Sequence, residues 1–335
     1  MVVVQRKVAF MSNVLNAPDA DNATAGMCHI PGGEFLMGSD RHYPEEAPVH
    51  RVRVGAFWMD ATTVTNAQFG QFIAATGYVT VAERPLDPAM YPGATPRQLK
   101  PGALVFQKTP GPVPTDDFRH WWTWTTGACW RHPDGRGSGI QSRPRHPVVQ
   151  VAYEDAEAYA AWVGKSLPTE AEWEFAARGG LDGAEFVWGD ELTPGGVHMA
   201  NTWQGAFPWQ NLAEDGFHGA APVASFPPNA YGLFDMAGNV WQWTTDWFAH
   251  RHAADPQKAC CMPADPRGPA MEGSYDFTNS PVAIPRKAVK GGSFLCAPSY
   301  CRRYRPAARH AQMVDSGMSH IGFRCIIRRS SEPSA

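Results

Sequence analysis

Two cysteines, Cys296 and Cys301, sit in the run Gly291-Gly292-Ser293-Phe294-Leu295-Cys296-Ala297-Pro298-Ser299-Tyr300-Cys301-Arg302-Arg303-Tyr304-Arg305, a glycine-entered loop with a basic exit. Four residues separate the thiols. That spacing matches neither the two-residue gap of thioredoxin-like redox pairs nor the paired knuckles of structural zinc sites. Pro298 favours a turn between them, so both sulfurs can face one point. Thiolate is the reactive and metal-binding form of cysteine, and the nearby Arg302, Arg303 and Arg305 stabilise it. Two soft thiolates without a local His or carboxylate suit Cu(I), which needs no further ligand, better than zinc, which wants four. A redox-inert buried pair or a disulfide fits the same spacing.

Two further runs could hold a hard cation. Asn201-Thr202-Trp203-Gln204-Gly205 and Asn211-Leu212-Ala213-Glu214-Asp215-Gly216-Phe217 supply amide, carboxylate and backbone oxygens of the calcium type, without matching an EF-hand. Asp235-Met236-Ala237-Gly238-Asn239-Val240-Trp241-Gln242 is a second, weaker oxygen cluster. Asx turns account for both without any ion. His132-Pro133-Asp134 has a His-x-Asp spacing but lies in a Pro/Gly-rich stretch and reads as a surface turn. Trp121, Trp122, Trp124 and Trp130 could form a binding platform, with core packing the favoured reading. His-Glu-x-x-His, phosphate-binding glycine loops and Gly-x-Ser-x-Gly are absent, which leaves metalloprotease, nucleotide-dependent and hydrolase-elbow functions without support.

The elements that must position these groups sit in a chain of 335 residues, long enough to bury about 75% of the surface its unfolded form exposes. With 29 Lys+Arg against 32 Asp+Glu the net charge is -3, so no basic field draws it to nucleic acid. No secretory signal and no membrane-spanning apolar stretch is visible, and a soluble, cytoplasmic protein is expected. Seven cysteines, an odd number, argue against a disulfide framework, and the adjacent Cys260 and Cys261 read as surface thiols on a loop. Asn22-Ala23-Thr24 matches a glycosylation acceptor by chance.

Gly (32) and Pro (30) make up almost a fifth of the chain and 13 Trp add apolar bulk, a composition suited to a loop-rich domain with an aromatic core. Residues 1–26 are expected to fray. Short strands are predicted over 32–38 and 49–54, where Val49, Val52 and Val54 alternate with polar residues. Thr65-Asn66-Ala67-Gln68 is a capping box opening a helix that carries Phe69, Phe72 and Ile73 and stops at Gly77. Residues 85–117 hold eight prolines and read as a long loop or insertion. A second helix is predicted over 154–163 on the stripe Ala156, Tyr159, Ala160 and Val163. A third opens at the capping box Thr169-Glu170-Ala171-Glu172 and ends at Gly179-Gly180. Further strands are expected around 240–243, 289–294 and 321–327, and Phe35-Leu36-Met37-Gly38 and Asn229-Ala230-Tyr231-Gly232-Leu233 as starts of similar units.

Taken together, the motifs resemble those of the formylglycine-generating enzymes, or sulfatase-modifying factors, over nearly all of 27–328. They are Pro31-Gly32-Gly33-Glu34-Phe35-Leu36-Met37-Gly38, Val64-Thr65-Asn66, Trp130-Arg131-His132-Pro133, Leu167-Pro168-Thr169-Glu170-Ala171-Glu172-Trp173-Glu174, Ala200-Asn201-Thr202-Trp203-Gln204-Gly205, Gly238-Asn239-Val240-Trp241, Gly291-Gly292-Ser293 and Gly322-Phe323-Arg324-Cys325. The paired cysteines after Gly-Gly-Ser are the most specific of these. The resemblance implies a single α+β domain over 27–329 with an elaborated C-type-lectin-like fold poor in regular elements, flanked by tails at 1–26 and 330–335.

It also implies an activity of the bacterial type: oxidation of one cysteine in a Cys-x-Pro-x-Arg stretch of an unfolded or nascent sulfatase polypeptide to formylglycine, with O2 and a thiol reductant, which activates the sulfatase. Cys296 and Cys301 would be the Cu(I) thiolates, and Ser293, Tyr300, Arg303 and Trp241 would surround the copper and oxygen pocket. A first calcium ion would use Asn201, Thr202, Asp215 and Phe217, and a second Asp235, Gly238, Val240 and Gln242, where Gln242 replaces a family Glu and weakens binding. Glu45 or Glu46 is a candidate partner for the client's arginine. Ala160, Ala176 and Pro306 stand where relatives of the secretory pathway carry structural cysteines, and Cys325 has lost its partner, in keeping with a reducing cytoplasm. Two other functions compete: a non-catalytic binding module on the same scaffold, and an iron-dependent sulfoxide synthase, which needs an additional N-terminal helical domain for which 1–26 is too short.

Overall fold

The computed structural model describes residues 23–252, 262–278 and 282–328. The expected thiol loop at Cys260 and Cys261, most of the N-terminal tail and the C-terminal tail lie outside these residues. Among the described residues there are four small sheets and three α-helices, with long ordered loops between them.

The chain enters through β1 (Met27–Ile30) and the antiparallel pair β2 (Gly33–Met37) and β3 (His50–Val54), then returns beside β1 as β4 (Phe57–Asp60). Val52 and Val54 are buried as predicted; Val49 lies ahead of the strand and is 40% exposed, because pairing begins only at His50. Helix α1 (Asn66–Thr76) opens on the predicted capping box: Thr65 Oγ1 accepts the Gln68 N–H at 3.3 Å and Gln68 Oε1 accepts the Thr65 N–H at 2.9 Å. Gly77 closes it at φ 67, a left-handed conformation that costs glycine nothing.

The proline-rich segment is more ordered than its composition suggests. Gly102–Phe106 forms β5, which pairs with β6 (Trp122–Thr126), so the loop expected over 85–117 contains half of a hairpin. Its prolines fall outside the strand, where no ladder N–H is needed. Trp121 and Trp130 are core residues, and Trp122 and Trp124 are half-buried, so the tryptophan cluster is mainly packing.

Helix α2 (Tyr153–Trp162) buries Ala156, Tyr159 and Ala160 on the predicted stripe. Helix α3 (Glu170–Arg178) is buried along its whole length. Thr169 Oγ1 accepts the Glu172 N–H at 3.1 Å, Glu172 Oε2 accepts the Thr169 N–H at 2.7 Å, and Gly179 ends the helix at φ 56. A fully buried helix with four charged residues needs charged partners around it. The sheet beside it supplies them.

That sheet has the order β10-β7-β8-β9, with β7 (Trp241–Trp247), β8 (Arg286–Lys290) and β9 (Arg309–Met313) antiparallel and β10 (Ile321–Gly322) parallel to β7. Strand β8 stops at Lys290, before the Gly291-Gly292 turn, and so falls short of the predicted 294. The strand expected over 321–327 divides into β10 and β11 (Ile326–Arg328), the latter joining β4. The break lets Arg324 turn fully inward, where its guanidinium donates to the carbonyls of Asp60, Ala61 and Phe234 and to Gln242 Oε1. Asn229–Leu233 is a turn rather than the start of a unit like β2: the Asn229 N–H donates to Leu233 O and the Gly232 N–H to Asn229 O.

Candidate active site

The thiol loop leaves β8 through two left-handed glycines, Gly291 (φ 94) and Gly292 (φ 71). A Cβ on Gly292 would stand 2.8 Å from the carbonyl oxygen of Arg303, so the entry and exit of the loop touch backbone to backbone. Inside it, the Cys296 N–H donates to Ser293 O at 2.9 Å and the Cys301 N–H to Ala297 O at 2.8 Å, the tight turn that Pro298 favours. The two sulfurs stand 3.0 Å apart, and both cysteines are free. The disulfide reading does not hold here, since a disulfide places the atoms at about 2.05 Å.

Each sulfur has a distinct environment. Cys296 is 2% exposed, and its Sγ accepts the Ser293 N–H at 3.4 Å. Burial, and the proton it shares with Cys301, push its thiol well up. Cys301 is drawn down to about 7 by the hydrogen bond from Cys296, which together with the Arg303 charge outweighs burial. The pair therefore gives up its first proton around neutral pH, with the negative charge favoured on Cys301.

The expected residues around the pair are brought together. Ser293 is buried, its Oγ 3.2 Å from the Leu295 N–H. Trp241 is buried at the start of β7. Tyr300, 37% exposed, lies flat on Phe207 with ring centroids 4.4 Å apart and meets the edge of Trp121 at 5.5 Å. Arg303 stacks over Tyr43 at 3.8 Å and donates to Glu45 Oε1 at 2.6 Å. Burial works against the Arg303 charge, but Cys301 and Glu45 more than offset it.

Glu45 and Glu46 occupy a short 3-10 turn, Pro44–Glu46, that clasps the basic exit of the loop. Glu46 is wholly buried against Arg305, one bond measuring 2.8 Å, and is not free to meet a client's arginine. Glu45 is already engaged by Arg303. Beneath them Lys290 Nζ sits 3.0 Å from Glu174 Oε2 and 3.5 Å from Glu170 Oε1, while Arg309 holds Glu170 Oε2 at 2.7 Å and Arg178 holds Glu174 Oε1 at 2.7 Å. These charges face one another in the buried interior, where an unpaired one would be costly.

Sequence reasoning missed several members of this site. His310 and His320 are crowded by protein atoms yet reached by solvent, and crowding pushes both imidazoles below their ordinary range. His310 lies against Trp241 with centroids 5.6 Å apart, and His320 Nδ1 lies 3.0 Å from Ser293 Oγ. No spacing signal links His320 to Ser293; only its place just ahead of Gly322-Phe323-Arg324-Cys325 set it near a motif. Tyr43 and Phe207 likewise had no local cue.

The first expected calcium set lies in one loop. Asp215 Oδ2 accepts the Thr202 N–H at 2.9 Å and Asp215 Oδ1 the Phe217 N–H at 2.9 Å, gathering Asn201, Thr202, Asp215 and Phe217. Asn201 Oδ1 is buried with no hydrogen-bond partner, an orphan acceptor that a cation would satisfy, and Gln204 Nε2, which donates to Thr202 O and at 2.9 Å to Asp215 Oδ2, is a neutral amide that can turn away, so these residues fit calcium. The second set does not fit. Gln242 Oε1 accepts from Trp173 Nε1 at 2.8 Å and Arg324 Nε at 2.7 Å, and Gln242 Nε2 donates to Asp235 O at 2.8 Å. Beside them the Gly238 N–H donates to Gly291 O, and Val240 is buried. A guanidinium already faces the oxygens that a second ion would need. His132, by contrast, sits in a turn with its Nδ1 2.6 Å from Ser138 O, and among the described residues no group of three or more His, Cys, Asp or Glu is arranged to hold a metal.

Known proteins resemble this chain at each level. The model of the sulfatase-modifying factor enzyme 1-like domain matches residues 13–329. A formylglycine-generating enzyme of Mycobacterium tuberculosis is 56% identical, covering 89% of this chain and 96% of its own length. One of Bos taurus is 44% identical over 89% of this chain and 74% of its own. A Mus musculus relative named inactive Cα-formylglycine-generating enzyme 2 is 37% identical, over 89% of this chain and 84% of its own. Among solved structures, PvdO from Pseudomonas aeruginosa has a TM-score of 0.57 at 24% identity, covering 90% of this chain and 93% of its own, and so shares the fold. The single α+β domain, the match from 13 to 329 and the identity to several relatives agree, and the chain belongs to the sulfatase-modifying factor enzyme 1-like family.

Proposed function

We propose that the chain is a copper-dependent oxidase that converts the cysteine of a Cys-x-Pro-x-Arg stretch in an unfolded sulfatase polypeptide to Cα-formylglycine. In balance, the peptidyl cysteine, O2 and two reducing equivalents from a thiol give the aldehyde, hydrogen sulfide and water. The observation that carries this reading is the pair of free sulfurs, 3.0 Å apart in the loop that leaves β8, in a chain of the sulfatase-modifying factor family.

Cys296 and Cys301 would hold Cu(I), a soft ion suited to two thiolates, which supplies the one-electron chemistry that activates O2. The chain's own residues do the rest. The hydrogen bond from Cys296, with the charge of Arg303, favours negative charge on Cys301. Trp241, Trp121 and Phe207 exclude water around the loop, and Ser293 offers a hydroxyl in a low-dielectric setting where one hydrogen bond to developing charge is worth most. Tyr300 is the exposed edge over which a client cysteine would approach.

A calcium ion at Asn201, Thr202, Asp215 and Phe217 would brace the neighbouring loop. Unpaired Cys28, Cys129 and Cys325 support a reducing, cytoplasmic setting. Among the described residues no helix is long and apolar enough to cross a membrane.

The test is mass spectrometry of a Cys-Thr-Pro-Ser-Arg peptide incubated with the protein, Cu(I) and a thiol reductant. Sulfide release with gain of an aldehyde is expected, and Cys296→Ser or Cys301→Ser abolishes it. Copper uptake without any aldehyde would leave the non-catalytic reading, for which the inactive relative is a precedent.

A further inference from the structure

Ser293 is buried, and its hydroxyl oxygen already accepts the Leu295 N–H at 3.2 Å. Its other partner is His320, with Nδ1 at 3.0 Å. The residue is held in place from two further directions, one at its backbone and one at its ring. The His320 carbonyl accepts the Trp241 N–H at 2.9 Å, where the parallel pairing of β10 with β7 begins, and its ring lies against Trp122 with centroids 4.7 Å apart. Trp122 is the first residue of β6, so the hairpin that arises from the proline-rich segment supports the ring.

We infer that His320 is a positioning residue for the proposed oxidation, locking the Ser293 hydroxyl so that one of its hydrogen-bonding directions remains unspent. A serine hydroxyl has one hydrogen and two lone pairs, and it rotates freely unless held. Leu295 takes one lone pair. His320 Nδ1 takes the hydrogen or the second lone pair, according to its tautomer, and in either case the rotor is fixed. With the proton on Nδ1, His320 donates to Ser293 Oγ and leaves the Ser293 O–H free to donate, and a hydroxyl so fixed meets developing negative charge without first reorganising, the source of most of its catalytic value. The contact transfers no electrons and breaks no covalent bond.

The inference rests on the oxidase reading, and two measurements separate them. In metal-free protein labelled with 15N-histidine, the Nδ1 resonance of His320 reports a hydrogen-bonded nitrogen and shifts in Ser293→Ala. An unchanged resonance overturns the contact, whatever the catalytic result. In peptide turnover, His320→Phe keeps a ring against Trp122 and removes the nitrogen. Its kcat falls at least about tenfold while KM for the peptide and the melting temperature hold. Ser293→Ala falls to a similar level, and the double variant falls no further, because the two residues act as one unit. His320→Asn, whose amide reaches the Nδ1 position, recovers kcat to within about threefold of the parent. Full activity in His320→Phe, or additive losses in the double variant, overturns the positioning role. A parent protein that forms no aldehyde sinks the oxidase reading and the positioning role with it, while the resonance still decides the contact.

Discussion

The backbone N–H of Trp203 donates to the carbonyl oxygen of Cys296 across 3.0 Å, which ties the proposed calcium loop to the thiol loop. Two more bonds run in parallel: the Asn239 N–H to Asn201 O at 2.8 Å and the Phe294 N–H to Asn239 O at 2.9 Å. Loosening of the loop at Asn201 and Asp215 is therefore felt at Cys296. Chelation with EGTA should lower the melting temperature by at least about 2 °C, the shift that roughly 1 kcal/mol brings in a domain of this size. It should also speed alkylation of Cys296. Asp215→Asn should abolish both responses to EGTA; a variant that still responds would place the ion elsewhere.

The two thiols should also part company in reactivity. In copper-free protein kept in calcium, Cys301 is drawn down to about 7 and is the more accessible, whereas Cys296 is pushed up and buried. Since only the thiolate attacks, iodoacetamide labelling of Cys301 should rise with a midpoint near pH 7, with Cys296 unlabelled in the same window. Arg303→Leu removes a charge that favours the thiolate, so the midpoint should move to higher pH. Peptide mapping after timed labelling reads both results, and equal labelling of the two cysteines would contradict this division of the proton.

How much of this was legible in the sequence depends on the range of each interaction. The capping boxes at Thr65 and Thr169 are local, with donor and acceptor three residues apart, and both helices start where they predict. The strand Gly102–Phe106 was hidden because eight prolines around it masked five residues whose partner lies beyond another loop. The pairs Arg303 with Glu45 and Arg305 with Glu46 were out of reach for a similar reason: 258 and 259 residues separate them, and nothing in a basic run names its acids. The thiol pair was legible as chemistry through its spacing. Its wall of Ser293 and His320 was legible only in half.

Gly292 offers a sharper test of the loop geometry. Its φ of 71 is strained for any residue with a side chain, and a Cβ would press to 2.8 Å from Arg303 O and 2.9 Å from Arg303 C. Gly292→Ala should cost roughly 1–2 kcal/mol from the left-handed backbone alone, with the backbone clash adding to it. The clash can be relieved only by moving Arg303 away, so turnover should fall much further than stability. Urea melts and peptide turnover on the same preparation check this; a variant with lost stability and full turnover would show that the loop exit need not stay in place.

Lys290 and Glu174 are both fully buried and stand 3.0 Å apart. Burial alone would raise the Glu174 carboxyl, yet Lys290 and Arg178 hold it down to about 2, below its ordinary 4.5. With the folded value below the unfolded one, the stabilisation is fully present above about pH 4.5 and is lost as pH falls toward 2. Lys290→Met leaves two buried acids with one cation each, and breaking a buried pair in this way costs about 3–5 kcal/mol at pH 7. Protonating Glu174 removes the charge that the variant leaves under-compensated, so the gap between parent and variant should narrow as pH falls from 4.5 toward 2. Urea titrations at a series of pH values measure that gap directly. A gap that stays constant across the window would mean that Lys290 stabilises by packing alone, and that the charge on Glu174 is held by Arg178.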